Sequence, residues 1–162
     1  MAINGYLKIP DIAGESKRAE HEDEIDIHGI SWGVSRETSA IVGRGRRRGR
    51  AEVDALTVLK YYDASSPYLT LATLQGKSFD EIVLSVRQNS GDASHKYLTI
   101  TMTNCVFTSY DMENEGVSTA DTLIAEAISI EFESVRTLYV VQADDHSAGD
   151  EHEIEFDVAA MA

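Results

Sequence analysis

The densest gathering of metal-ligating side chains in this sequence is Asp144-Asp145-His146 followed by Asp150-Glu151-His152-Glu153. Oxygen and imidazole donors packed this closely could hold a divalent cation, but the run lacks the i, i+4 histidines or paired cysteines of a recognisable site. A solvated acidic loop is the commoner use, and no metal is expected. The other histidines, His21, His28 and His95, are scattered over loops and strand ends. Glu131 and Glu133 lie two apart, which on a strand puts both carboxylates on one face, the arrangement of a general acid–base pair. Exposed acids on a wet face are far more frequent. The single cysteine, Cys105, falls opposite the main apolar row of its strand, with no histidine placed by sequence to activate it, and reads as a packing residue. Neither a G-x-S-x-G elbow nor a Ser–His–Asp order is present. No enzyme and no cofactor are expected.

The strongest chemical signal is charge. The stretch from Arg36 to Arg50 holds Arg36, Arg44, Arg46, Arg47, Arg48 and Arg50, six of the 14 basic residues, against the one acid Glu37. It carries +5 in a chain of net charge −14, leaving −19 for the remainder. Gly43, Gly45 and Gly49 loosen its tip. Their spacing fits neither G-x-G-x-x-G nor G-x-x-x-x-G-K-[ST], so a phosphate cradle is disfavoured. Arginines without interleaved aromatics attract phosphate but cannot stack on bases, so nucleic acid is not the expected partner. A polycationic loop on an acidic body reaches for a negative surface, and the nearest one is a second copy of the same chain. Residues 36–50 are therefore read as an extended loop carrying an inter-subunit interface.

Length and composition bound the rest. A chain of 162 residues, 43% hydrophobic and 26% charged, is read as one domain over 1–162. No run approaches the roughly 20 apolar residues of a membrane span, so no membrane insertion is expected. Residues Met1 to Gly14 show no basic n-region followed by an apolar h-region, so no secretory signal is expected. One cysteine precludes an internal disulfide and fits synthesis in a reducing compartment.

The elements that must position these residues are mostly strands. Ile3 to Ile9 reads as the first, closed by Pro10, and Asp11 to Asp23 as a loop without core signal. Ile25 and Ile27, then Ile30, Trp32 and Val34, form one strand whose apolar parity changes at His28-Gly29, predicting a β-bulge there. Trp32 is expected to pack in the core or an interface. After the basic loop, Ala51 to Tyr62 is the third strand. Ser66 as N-cap, Pro67 at the first position and Gly76 as terminator frame one helix, with Leu71, Ala72 and Leu74 as its apolar stripe beside Tyr68. Phe79 to Gln88, with Ile82, Leu84 and Val86 on one face, and Tyr97 to Tyr110, with Leu98, Ile100, Met102 and Val106 on one face, follow as strands around a turn at Asn89 to Asp92. Leu123 to Val141 is a long strand with Ile124, Ile128, Ile130 and Phe132 on one face, and Glu153 to Val158 closes the series after a charged loop at Asp144 to Glu151. The pattern predicts a mainly β chain, an antiparallel β-barrel or sandwich with one α-helix. Strands this long leave edges that another chain must cover, which predicts association.

Taken together, Ile25-Asp26-Ile27, Ser31-Trp32-Gly33-Val34-Ser35, the Gly-rich loop, Leu59-Lys60-Tyr61-Tyr62-Asp63 with Ser66-Pro67, Leu74-Gln75-Gly76-Lys77 and Ile128-Ser129-Ile130-Glu131-Phe132 resemble the haemolysin-coregulated protein (Hcp) family, the tube subunit of type VI secretion systems. The resemblance runs over nearly the whole length. It implies a phage tail-tube-like barrel assembled as a hexameric ring. Rings stack into a hollow tube driven out by a contractile sheath, with a spike protein at the tip and effectors in the lumen. It further implies synthesis in the cytoplasm and export by that apparatus. Arginines replace much of the glycine run that many relatives carry in the loop, which points to electrostatic docking. The ending from Glu153 to Val158 matches the family only loosely, and no fused C-terminal toxin domain is expected after Ala162. Two alternatives stand beside this reading: a tail-tube-like subunit of another contractile injection system, and a monomeric cytoplasmic binding module with a basic loop.

Overall fold

The computed structural model describes residues 3–39, 47–90, 93–115, 123–143 and 148–160. Among them are ten strands and one helix. The order is β1 (Asn4–Lys8), β2 (Ile25–Ile27), β3 (Gly29–Ser31), β4 (Val34–Ser39), β5 (Arg47–Val53), β6 (Leu56–Tyr61), α1 (Ser66–Gln75), β7 (Ser78–Ser90), β8 (Ala93–Glu115), β9 (Leu123–Gln142) and β10 (Ala148–Asp157).

Eight strands form one antiparallel sheet in the order β2-β1-β7-β8-β9-β6-β3, with β10 also on β9. The sheet curls into a nearly closed barrel because its two ends are one piece of chain. β2 pairs with β1 and β3 with β6, and between them the His28 amide donates to the Leu59 carbonyl. The parity change expected as a bulge at His28-Gly29 is therefore a change of partner: the chain leaves one edge of the sheet and joins the other. Gly5 suits this seam, since a Cβ there would come within 2.4 Å of the Ile27 side chain.

The strand expected from Ile25 to Val34 is thus three strands, and the one expected from Ala51 to Tyr62 is two. Both breaks fall at one corner, where the Asp54 amide donates to the Gly33 carbonyl and Trp32 Nε1 donates to the Asp54 carbonyl. Beyond that corner, among the described residues, β4 and β5 pair only with each other, as a separate two-stranded sheet.

The core runs along the inner face of the barrel and includes Leu7, Ile25, Leu56, Val58, Ile82, Leu84, Met102, Ile128 and Ile130, all fully buried. On β8 the buried positions change from Ile100 and Met102 to Cys105 and Phe107, and on β9 from Phe132 to Val135. Met102 faces Val135 and Cys105 faces Phe132 across the ladder, so both strands turn over together. Asn104, at φ 51°, provides the left-handed residue that permits this. Cys105 therefore packs in the same core as Met102, contrary to the face assigned from strict alternation. Its burial pushes the thiol up to about 11.

α1 begins one residue earlier than expected, with Ser65 at the N-cap position, and ends at Gly76 with φ 63°. Its buried side is Ser66, Leu69 and Ala72; Tyr68, Leu71 and Leu74 of the expected stripe face outward. The segment after Pro10 is irregular as expected, yet it buries Ile12, Ser16 and His21. At the far end Ile124 is partly exposed, and β10 starts at Ala148, inside the charged loop expected to reach Glu151.

Candidate assembly interface

The basic stretch is built as an arm. Val34 faces Val53, Ser35 faces Glu52 and Arg36 faces Ala51, and the register then shifts so that Thr38 faces Arg48 and Ser39 faces Arg47. Two residues, Gly49 and Arg50, thus stand against Glu37 alone, which is a bulge seated at a glycine. Where a loop was expected over 36–50, residues 36–39 and 47–50 are strand. Arg36 and Arg50 are exposed on opposite strands of it. Arg47, Arg48 and Gly49 lie on the β5 backbone. Gly43, Arg44, Gly45 and Arg46 lie outside the described residues.

At the base of the arm an apolar groove of about 470 Å³ opens between the hairpin and the barrel. Trp32, Val34 and Val53 form one wall, and Val135, Ile154 and Phe156 the other. Trp32 packs edge-on against Phe132, with ring centroids 6.1 Å apart, which makes it a bridge between arm and core.

A second constellation ties α1 to the barrel. Lys60 and Glu126 are both buried, with Nζ 2.5 Å from Oε1. The ammonium also donates to Ser66 Oγ at 3.0 Å and the Tyr61 carbonyl at 2.9 Å, and lies 3.1 Å from Asp63 Oδ1. Ser66 Oγ donates to Glu126 Oε1 at 2.7 Å, and the Tyr110 hydroxyl donates to Oε2. Desolvation, then the bond to Glu126, pushes the Tyr110 hydroxyl above its ordinary range. Ser66, expected to cap the helix, instead spends its hydroxyl on this network. The signal was available in the sequence: Lys60 has the inward parity of Leu56 and Val58, and Glu126 that of Ile128 and Ile130. Opposite charges at two inward positions of paired strands imply a buried ion pair.

A serine beside a lysine resembles a nucleophile and its base, but this pair is sealed under the helix, where no substrate reaches it. The other sequence candidates stay apart. Glu131 and Glu133 are exposed, and Glu133 accepts a bond from Asn104 Nδ2 at 2.5 Å. His152 lies exposed on β10 opposite Tyr139, and His146 is outside the described residues. His95 Nε2 is 3.1 Å from the Val140 carbonyl. His21 stacks on Tyr6 at 4.4 Å; Arg87 Nε donates to its Nε2 at 2.8 Å while Nδ1 lies 2.9 Å from Glu24, which holds the ring inside a packed knot. Among the described residues no three His, Cys, Asp or Glu converge as metal ligands.

The arrangement defines a class: a nearly closed antiparallel barrel with one pinned helix and a two-stranded arm. Comparison then places it within that class. The family model described as "Type VI secretion system effector, Hcp" matches residues 6–139, and the chain belongs to this family. It is 33% identical over 145 residues to Protein hcp1 of Pseudomonas aeruginosa, covering 90% of this chain and 88% of that protein. Among solved structures, one described as a type six secretion system protein superposes with a TM-score of 0.90 at 24% identity, covering 99% of each chain. Hcp1 from Salmonella typhimurium gives 0.77 at 25% identity, covering 100% of this chain and 99% of that one. A type VI secretion system effector from Yersinia pestis gives 0.74 at 26%, covering 96% and 100%.

Proposed function

We propose that copies of this protein close into hexameric rings, and that the rings stack into the hollow tube of a type VI secretion system. The observation that carries this is the arm: a hairpin set off from the barrel, bearing the chain's cationic cluster on a body that is otherwise strongly negative. Charge of one sign on a projecting ribbon and of the other sign on the barrel suits a head-to-tail contact, which repeats into rings and stacks. In this reading Arg36, Gly43, Arg44, Gly45, Arg46, Arg47, Arg48, Gly49 and Arg50 form the contact with a neighbour in the same or the adjacent ring. The partners are further copies, the spike protein at the tube tip, the contractile sheath and effectors in the lumen. The subunit is made in the cytoplasm and leaves through the apparatus itself.

Electron microscopy of the purified protein tests the assembly, with annuli bearing a central hole as the expected result. A particle migrating as a 17.8 kDa monomer would instead support a lone binding module. Replacing Arg46, Arg47 and Arg48 together with Glu tests the arm. The domain is expected to stay folded while tubes and export are lost; normal tubes from this variant would remove the arm from the interface.

A further inference from the structure

At the barrel end where β7 stops and β8 begins, a cavity of about 540 Å³ opens between β1, β7, β8 and β9. Its size falls within the roughly 300–1,000 Å³ of small-molecule sites, which favour the mouths of β-barrels. An irregularity in the ladder builds its wall. Val86 faces Leu98 and Arg87 faces Lys96, so Tyr97 is an extra residue on β8 without a partner on β7. A bulge of this kind re-aims the side chain it carries. The Tyr97 ring stands at 80° to that of Tyr139, with centroids 6.5 Å apart, and the two make an aromatic corner. Tyr139 is 44% exposed there. Beside them His95 Nε2 lies 3.1 Å from the Val140 carbonyl and ties β8 to β9. Asn4 and Gln88 bring carboxamides from β1 and β7, and neither carboxamide is bonded to another described residue.

The lining selects a class of ligand. The chain has 28 acidic residues, yet none belongs to the described lining, so a cation would find no counter-charge in it. Arg87 is the one guanidinium there, and it is already paired with Glu20 and donating to His21 Nε2. A body of net −14 repels phosphate and carboxylate at longer range. The ligand is therefore neutral. Two rings set nearly at right angles cannot clasp a flat base between them, but they give an apolar corner to a molecule with C–H faces. A carboxamide offers a donor and an acceptor side by side, as neighbouring hydroxyls require. C–H faces rimmed by hydroxyls describe a pyranose.

We propose that this cavity binds a neutral saccharide, one sugar ring packing in the corner of Tyr97 and Tyr139 while its hydroxyls bond to Asn4 and Gln88. The site lies within one subunit and stands whether or not rings form. It adds recognition of a glycan to a structural role.

Saturation-transfer difference NMR on the full chain tests it, in whatever assembly the chain adopts. The neutral probes are maltotriose, cellotriose and N-acetylated chitotriose; trigalacturonate and AMP represent an acidic sugar and a charged base. Saturation transfer is expected to at least one neutral probe and to neither charged one. Tyr139→Ala and Gln88→Ala change exposed side chains, so circular dichroism is expected to match wild type. Each is expected to weaken binding by about five-fold or more, the loss of one packing or hydrogen-bonding contact. Gln88→Ala carries the test if Tyr139→Ala fails to fold. Tyr139→Phe keeps the ring and is expected to keep binding. Tyr68→Ala, which removes an exposed tyrosine from α1, is expected to leave it unchanged. No transfer to any of the three neutral probes overturns the proposal. So does binding that survives both cavity variants, binding lost equally in Tyr68→Ala, or binding of the charged probes alone.

Discussion

Lys60 and Glu126 show what a single position can decide. A buried charge is tolerable only while its partner is present, and removing one member of such a pair typically costs roughly 3–5 kcal/mol. Lys60→Met is therefore expected to lower the urea midpoint sharply, and Lys60→Met/Glu126→Leu to recover part of the loss, because the stranded carboxylate goes with its partner. Unfolding curves at one fixed protein concentration check both. Cys105 gives a pH signature. The unfolded thiol ionises near 9.0, whereas burial delays ionisation in the folded chain to about 11. Above 9 the unfolded state sheds a proton that the native state keeps, so stability is whole below that point and falls as pH climbs toward 11. The slope reaches about 1.4 kcal/mol per pH unit. Cys105→Ala is expected to flatten this part of the curve, leaving the contribution of Tyr110, which enters above 10.0 in the same direction.

β8 and β9 pose the question of how a long strand serves a closed barrel. They do it by turning over together at Asn104, where a β-branched side chain would strain the backbone. Asn104→Val is expected to cost about 1–2 kcal/mol, while Asn104→Gly should stay within about 1 kcal/mol of wild type; thermal melts of the two variants measure the difference. That turnover also marks where reading the sequence fell short. Alternation placed β7, the inner row of β8 as far as Met102 and that of β9 from Ile128 to Phe132, because period two holds wherever a strand keeps one face inward, but it put Val106 on the inner row where Cys105 and Phe107 are buried. It misplaced Cys105, since nothing in the residue types announces a left-handed asparagine. It joined β5 to β6 and β2 to β4, since the corner at Gly33 and Asp54 is made by hydrogen bonds between segments distant in sequence. The helix ends were legible from Pro67 and Gly76, but not its inward side: Leu71 and Leu74 are as apolar as Leu69, and only the barrel decides which is covered. The basic stretch was visible as charge, and its hairpin was not, because glycines and arginines carry almost no strand signal.

At the scale of the whole molecule, salt acts on two opposed terms. In the assembly proposed above, raising ionic strength weakens attraction between the arginine arm and acidic surface, and equally weakens repulsion between bodies of net −14. Contacts made by charge are expected to fail while contacts made by apolar burial hold. Long stacks should thus shorten to single rings in high salt without releasing folded monomers, an order that sedimentation and negative-stain images can follow. The arm has a mechanical consequence as well. A slack string passes on tension alone, but a two-stranded ribbon anchored at Trp32 and Asp54 resists being rotated about its own length. In the stack proposed above, a neighbour gripping this ribbon is held at a set angle to the barrel below, so a torque applied to one level is handed to the next instead of being dissipated between them.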